Sequence, residues 1–239
     1  MTVGVRNKFR WGVRRVSDII RVKGVRRSWL LAMSRPANLF QPYIDTSADR
    51  YPAIFRFLQR EIDHGPSVRL LSFGCSVGDE VFSLRTYFPE ATIVAIDISR
   101  GNISECRRRR RQSGDDRMHF VRAGTVREQP DGYYDAALCM AVLRHGDLGV
   151  NPSDTCAPLV TFAAFDKTVG DLARCLRVGG YLVIEHSNFR FCDSSCATQF
   201  EVVATRALPT AGRPTPLFGR DNMRLDDQEY RGVVFRKHR

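Results

Sequence analysis

Long hydrophobic runs are missing from this sequence of 239 residues. No apolar stretch approaches the ~18 residues that a membrane-spanning helix needs, which excludes an integral membrane protein. The start of the chain also lacks the charged, then apolar, then small-residue pattern of a secretory signal. Apolar residues are nevertheless 43% of the total, enough to bury a sizeable core. We therefore expect one globular domain, with an appendage.

The cysteines do not form a recognisable framework. There are seven, an odd number, and they are scattered along the chain rather than spaced as in a small disulfide-rich domain. Cys192 and Cys196 have the spacing of an iron–sulfur motif, but the third position is Gln199, and a zinc site needs two more close ligands. We expect no metal site, reduced cysteines and a cytoplasmic protein.

Positive charge is concentrated at the N-terminus. The net charge is +11, and residues 1–36 contain eight Arg and two Lys against a single acid, Asp18. Helical spacing within this arm predicts one apolar face, made of Val5, Phe9, Val13, Val16 and Ile20. Such a helix either packs on its own domain or docks on an anionic membrane surface or an acidic partner. Nucleic-acid binding is a weaker prediction, because a protein that binds nucleic acid along one face usually spreads its positive charge over the folded domain.

A second basic run, Arg107–Arg111, falls late in a predicted helix. Arginines are favourable near a helix C-terminus, so a solvated helix end explains the run. A phosphate or nucleic-acid contact is the alternative.

The organisation predicted from periodicity is an arm, a connector and a domain. Residues 37–66 are the connector between the arm and the domain and include a predicted helix from Pro52 to Ile62. Residues 67–239 alternate between strands and helices. The predicted strands are Val68–Phe73, Thr92–Ile98, Met118–Val121, Tyr134–Met140, Tyr181–Glu185, Phe200–Thr205 and Gly232–Phe235. Residues 144–160 are predicted as a loop, and Gly179-Gly180 as the end of the helix before the fifth strand. Such alternation predicts an α/β, doubly wound, mostly parallel sheet with helices on both faces.

Ligands of these sheets bind outside the carboxyl ends of the strands. After the first strand, Gly74-Cys75-Ser76-Val77-Gly78 is a tight turn of small residues that lets a ligand approach the backbone. A dinucleotide fingerprint is disfavoured because Asp79 stands where its third glycine would be and would repel a pyrophosphate. The turn also satisfies the nucleophile-elbow pattern of hydrolases, with Ser76, Asp135 and His186 in order. That fold, however, needs strands before the elbow, and none is predicted there.

A third family pattern also fits this turn. Ser72, Gly74, Ser76 and Gly78 stand where the class I, seven-stranded S-adenosylmethionine-dependent methyltransferases have an acid and three alternate glycines. The sequence resembles that family over residues 67–239, and its loop is most similar to the G-C-S-x-G-x-E of chemotaxis-receptor glutamate methyltransferases. The resemblance implies a three-layer α/β/α fold with a seven-stranded sheet that ends in an antiparallel hairpin.

The resemblance also implies S-adenosyl-L-methionine as cofactor, with Asp97 on the ribose hydroxyls and Glu80 or Asp79 on the ammonium group. The implied cofactor site consists of Phe73, Gly74, Cys75, Ser76, Gly78, Glu80, Asp97, Ile98, Gly124, Thr125, Cys139 and Met140. His145, Glu185 and His186 follow the fourth and fifth strands and are the candidate catalytic residues, because a hydroxyl or amine acceptor needs a base. We expect a small-molecule acceptor. The alternative is a non-catalytic binding module of the same fold that engages its partner through the basic arm.

Overall fold

The computed structural model describes residues 28–29, 31–33, 36, 38–44, 46–151, 153–205 and 215–239. The apolar face predicted between Val5 and Ile20 lies outside these residues, so the arm and its membrane or acidic partner stay predictions. In the described part of the chain, no helix is long and apolar enough to cross a membrane.

Seven strands form a single sheet with the order β3-β2-β1-β4-β5-β7-β6. The strands are β1 (Arg69–Phe73), β2 (Thr92–Asp97), β3 (Met118–Arg122), β4 (Tyr134–Met140), β5 (Leu176–Glu185), β6 (Phe200–Thr205) and β7 (Gly232–Lys237). Strands β1 to β5 pair in parallel, and β7 runs antiparallel to both β5 and β6. The order reverses between β1 and β4, so ligands are expected at the carboxyl ends of these strands.

Five α-helices with bounds inside the described residues accompany the sheet, and residues 28–29 and 31–33 are helical as well. The five are α1 (Pro52–Glu61), α2 (Asp79–Tyr87), α3 (Arg100–Ser113), α4 (Gly146–Val150) and α5 (Phe162–Cys175). Local sequence explains their starts: Pro52 occupies the first turn of α1, Ser99 caps α3 by accepting from Asn102 N–H, and Thr161 caps α5 by accepting from Ala164 N–H.

Helices cover both faces of the sheet. On one face, β1 and β5 residues such as Leu71 and Leu182 belong to the same buried cluster as Phe165 and Leu172 of α5. On the other, Leu70 of β1 packs in a cluster with Phe55 of α1 and Val81 of α2. The predicted three-layer α/β/α sheet with its C-terminal hairpin is confirmed.

Two local predictions were wrong. Gly179-Gly180 does not end a helix: α5 ends at Cys175, and β5 begins at Leu176 and runs through both glycines. The doublet accommodates a bulge, because the β4–β5 register shifts between Tyr134 and Ala136, and a Cβ on Gly180 would lie 2.9 Å from Arg177 O. Residues 144–160 are not entirely loop, since Gly146–Val150 forms the short helix α4.

Candidate active site

A cleft opens at the carboxyl ends of β1, β2 and β4, where the strand order reverses. Its empty space, counted to its open mouth, is about 960 Å³. One side is made of the turn after β1, the end of β2, the last residue of β4 and residues 141–142 that follow it. The other side is made of residues that precede the sheet, between Asn38 and Tyr51.

The turn after β1 needs a glycine at its first position. Gly74 has φ +77°, and a Cβ there would lie 2.3 Å from Cγ2 of Val142. The Gly74 and Cys75 N–H groups both donate to Ile96 O, at 2.8 and 3.0 Å, which fastens the turn to β2. The glycine therefore allows the turn to pack closely against Val142, and Gly74 itself lines the cleft.

Asp97, the last residue of β2, joins this turn to α3. Its Oδ2 accepts from Ser76 N–H at 2.8 Å, and its Oδ1 accepts from Ser99 N–H and Asn102 Nδ2 at 2.8 and 3.2 Å. The residue is 8% exposed. Burial raises the pKa of the carboxyl, and the three hydrogen bonds oppose that rise. A carboxylate has about four accepting positions, so this one can accept a further hydrogen bond from a ligand.

Beside Asp97, two polar atoms of the cleft have no hydrogen-bond partner among the described residues. They are Ser76 Oγ and Asn102 Oδ1, both buried and both on side chains that contact Asp97 or its turn. Leaving a buried polar atom unsatisfied costs about 1–3 kcal/mol. A ligand with hydroxyl or amine groups beside Asp97 would satisfy both.

Glu80 supplies a carboxylate at the base of the cleft. The Ser72 hydroxyl donates to its Oε1 at 2.7 Å. Partial burial raises the pKa of Glu80 to about 7, and the hydrogen bond from Ser72 opposes that rise. Asp79, the other acid considered for the cofactor ammonium, pairs with Arg109 at 2.7 Å and does not line the described part of the cleft, so its contact with the ammonium stays a prediction.

The other predicted cofactor residues divide into two groups. Phe73, Cys75, Ile98, Gly124 and Met140 line the cleft beside those already described. Gly78, Thr125 and Cys139 do not line it: Gly78 caps α2 with φ 93°, and Cys139 is fully buried in the core.

The wall between Asn38 and Tyr51 is what sequence reasoning missed, because residues 37–66 were interpreted as a connector. Hydrogen bonds fix this wall to the domain: Tyr43 donates to Asp147 Oδ1 at 2.7 Å, and Asp49 N–H donates to Ser83 Oγ at 2.8 Å. Asp49 has φ 47°, and the following residue, Arg50, lines the cleft. The sequence signal for this wall was a run of polar and aromatic residues that has neither helical nor strand periodicity.

The three candidate catalytic residues do not line the described part of the cleft: His145 follows β4, Glu185 is the last residue of β5 and His186 follows it. His145 caps α4 by accepting from Asp147 N–H at 3.3 Å, and burial lowers the pKa of its imidazole. Its ring packs edge-on against Tyr43, with centroids 5.9 Å apart. Glu185 is buried, and its Oε1 lies 3.5 Å from His186 Nε2. The His186 ring is 6.2 Å from that of Tyr51, which lines the cleft.

Backbone strain gathers at this edge of the sheet. Ser76 after β1, Ala141 after β4 and His186 after β5 have φ of 52°, 57° and 55°, although none is a glycine. The left-handed conformation costs such residues about 1–2 kcal/mol each. Strained residues that cluster in this way are typical of ligand sites.

Two competing interpretations of the sequence lose support. Asp135 is the second residue of β4 and pairs with Arg177, so it lies at the opposite edge of the sheet from Ser76 and cannot complete a hydrolase triad. In the arginine run, Arg107 donates to Phe120 O and Arg109 to Val77 O and Asp79, contacts that hold α3 on the domain.

Comparison with known families decides the assignment. A sequence model described as a methyltransferase domain matches residues 64–234. The chain belongs to this methyltransferase family. The predicted methyltransferase domain, and S-adenosyl-L-methionine as the cofactor that accompanies it, are confirmed at the level of the family. The finer similarity to chemotaxis-receptor methyltransferases stays a prediction.

Individual relatives are more distant. Over 98 residues, 40% of the chain, the methyltransferase-family protein is 34% identical to an uncharacterized protein of Synechococcus sp., of which the match covers 23%. Among solved structures it is similar to the geranyl diphosphate C-methyltransferase of Streptomyces coelicolor A3(2), with 18% identity over 56% of this chain and 44% of that one, TM-score 0.40. It is also similar to phosphoethanolamine N-methyltransferase 2 of Haemonchus contortus, with 17% identity, 59% and 29% covered, TM-score 0.43. The chain thus spans less than half the length of each, and the assignment rests on the family match.

Proposed function

We propose that this protein is an S-adenosylmethionine-dependent methyltransferase that binds the cofactor in the cleft at the ends of β1, β2 and β4. The observation that carries the proposal is the pair of unpartnered atoms, Ser76 Oγ and Asn102 Oδ1, beside the buried carboxylate of Asp97. The ribose hydroxyls of the cofactor are donors and acceptors of the kind that such a group of atoms would bind.

The charges of the cleft match the same ligand. The charged side chains that line its described part are Arg50, Glu80 and Asp97. S-adenosylmethionine carries a ribose diol for Asp97, an ammonium group for Glu80 and a carboxylate for Arg50. When bound, the cofactor would supply a methyl group to the nucleophilic atom of the acceptor, and its sulfonium sulfur would leave as the neutral thioether of S-adenosylhomocysteine. The protein's task is then to align the acceptor and exclude water.

For the acceptor, we propose a small molecule at the side of the cleft where β4 and β5 end. His186 is the best placed candidate for accepting its proton, because its ring adjoins both Tyr51 and the Glu185 carboxylate. His145 has its Nδ1 engaged as a helix cap, so we assign it the positioning of Tyr43.

Calorimetric titration with S-adenosylhomocysteine tests the cofactor site. We expect micromolar binding, near −8 kcal/mol at a dissociation constant of about 1 μM. Asp97→Asn keeps the shape but loses charge-assisted hydrogen bonds, which should weaken binding by about 10- to 100-fold. Asp116→Asn changes an exposed acid outside the cleft and should bind as the wild type does.

If the folded wild-type chain does not bind S-adenosylhomocysteine, the enzyme proposal is wrong. A binding module that has lost the cofactor would then be the better interpretation.

A further inference from the structure

A second, smaller cavity lies at the same edge of the sheet as the cofactor cleft. It is formed where β5 ends and the antiparallel β7 begins, and its empty space is about 500 Å³, counted to its mouth. Ile184 and Val233 of these two strands line it together with Leu217 and Tyr230. It therefore lies farther along the strand order from the cleft, past the end of β4.

The cavity is uncharged apart from one imidazole. Its described lining has apolar walls and no carboxylate, ammonium or guanidinium group, and His186 is the residue there that can carry a positive charge. The amide of Gln228 is engaged by the backbone of Leu217 and Leu225, so it is not available to a ligand. The Thr215 and Tyr230 hydroxyls are both buried and have no hydrogen-bond partner among the described residues. Such a surface favours an uncharged molecule that can hydrogen-bond to these hydroxyls.

His186 lies at the border of this cavity that is nearest to the cofactor cleft. Its side chain lines the cavity, and its ring lies 6.2 Å from that of Tyr51, which lines the cleft. The left-handed backbone of His186, φ 55°, brings this side chain to the boundary immediately after β5. A molecule in the cavity would thus adjoin the cleft through a titratable side chain.

Asn188, next to the lining residue Ser187, links the segment after β4 to the segment that carries Thr215 and Leu217. Its Nδ2 donates to Pro216 O at 2.7 Å, and Phe218 N–H donates to its backbone O at 2.9 Å, which fixes the segment that carries Thr215 and Leu217. Its Oδ1 accepts from His145 N–H at 2.7 Å. Because Asn188 is completely buried, both segments are held by one rigid side chain.

We propose that this cavity binds the methyl acceptor, and that the acceptor's bound part is an uncharged ring or short chain bearing a hydroxyl. The assignment of the ligand as the methyl acceptor rests on the proposed function. The prediction of a site for neutral hydroxyl compounds stands on the cavity itself. An anionic acceptor is disfavoured, since the described part of the lining holds no guanidinium or ammonium group that would compensate its desolvation.

Protein-observed NMR with the full chain tests this site, with phenol as the probe. We expect phenol to shift the backbone amide signals of His186, Leu217 and Gly232 in a saturable manner. Benzoate and benzylamine, charged compounds of similar size, should shift them far less. Thr215→Val, which removes one unpartnered hydroxyl at nearly constant shape, should raise the phenol dissociation constant by about fivefold. Thr205→Val, the same change at an exposed position of β6, should leave it unchanged.

The proposal is overturned if phenol shifts no signals at the cavity, if benzoate binds there as well as phenol does, or if both threonine variants bind phenol equally. A parallel titration with S-adenosylhomocysteine separates this result from the proposed function. Cofactor binding without phenol binding overturns the cavity assignment alone. Phenol binding without cofactor binding keeps the site but removes its role in methyl transfer.

Discussion

Glu80 is placed so that its charge depends on pH near neutrality. Its carboxyl faces the cleft from α2, next to Ser72, and partial burial raises its pKa to about 7 from the usual 4.5. The raised pKa means that the folded protein holds this proton more tightly than the unfolded chain does. The contribution of Glu80 to stability therefore falls as pH rises from about 4.5 to 7, and is smallest above that window.

Glu80→Gln removes this titration and keeps the acceptor for Ser72. We expect the free energy of unfolding of Glu80→Gln, relative to wild type, to increase between pH 5 and pH 8. Urea denaturation at the two pH values measures it. Equal differences at both would show that the Glu80 carboxyl titrates normally in the fold. Glu90→Gln, at an exposed turn, provides the control.

At the scale of elements, the ends of β4 and β5 are where strain can be relieved. Ala141 follows β4 with φ 57°, and its N–H donates to Glu185 O at 2.8 Å. A glycine adopts this conformation without the side-chain clash, although it also adds entropy to the unfolded chain. The two effects are of similar size and opposite sign.

The free energy of unfolding of Ala141→Gly should accordingly exceed that of the wild type by no more than about 1 kcal/mol. Ala137→Gly, inside β4 and completely buried, should lose more than about 1 kcal/mol, because it both empties core volume and loosens the strand. Chemical denaturation of both variants decides. If they lose stability equally, the residue after β4 is not strained.

The sheet is the part of this molecule that its sequence predicts well. β4 and β6 have the bounds expected for them, Tyr134–Met140 and Phe200–Thr205, because each is a short run rich in apolar residues. The start of β5 was missed because a glycine doublet signals a helix end as readily as a bulge. Asp97 could be found because it ends a strand. The wall around Arg50 could not, because its place is set by contacts such as Asp49 with Ser83, 34 residues away.

For the whole molecule, cofactor binding should stabilise the fold by mass action. A ligand at 100 times its dissociation constant contributes about 2.7 kcal/mol. For a chain of this size, that corresponds to a rise in Tm of about 5–10 °C. We expect this shift with S-adenosylhomocysteine in the wild type and a smaller one, at the same concentration, in Asp97→Asn. A thermal scan with no shift in the wild type would contradict binding to the folded state.

The cleft is formed by two stretches of chain, and the family match covers only one of them. The family match begins at residue 64, whereas one entire side of the cleft comes from residues 38–51. The family assignment is therefore based on residues 64–234, whereas the expected ligand-binding residues also include residues 38–51. Likeness to relatives within the sheet speaks for a shared scaffold. Ligand preference can diverge in the preceding segment without leaving a trace in such a comparison.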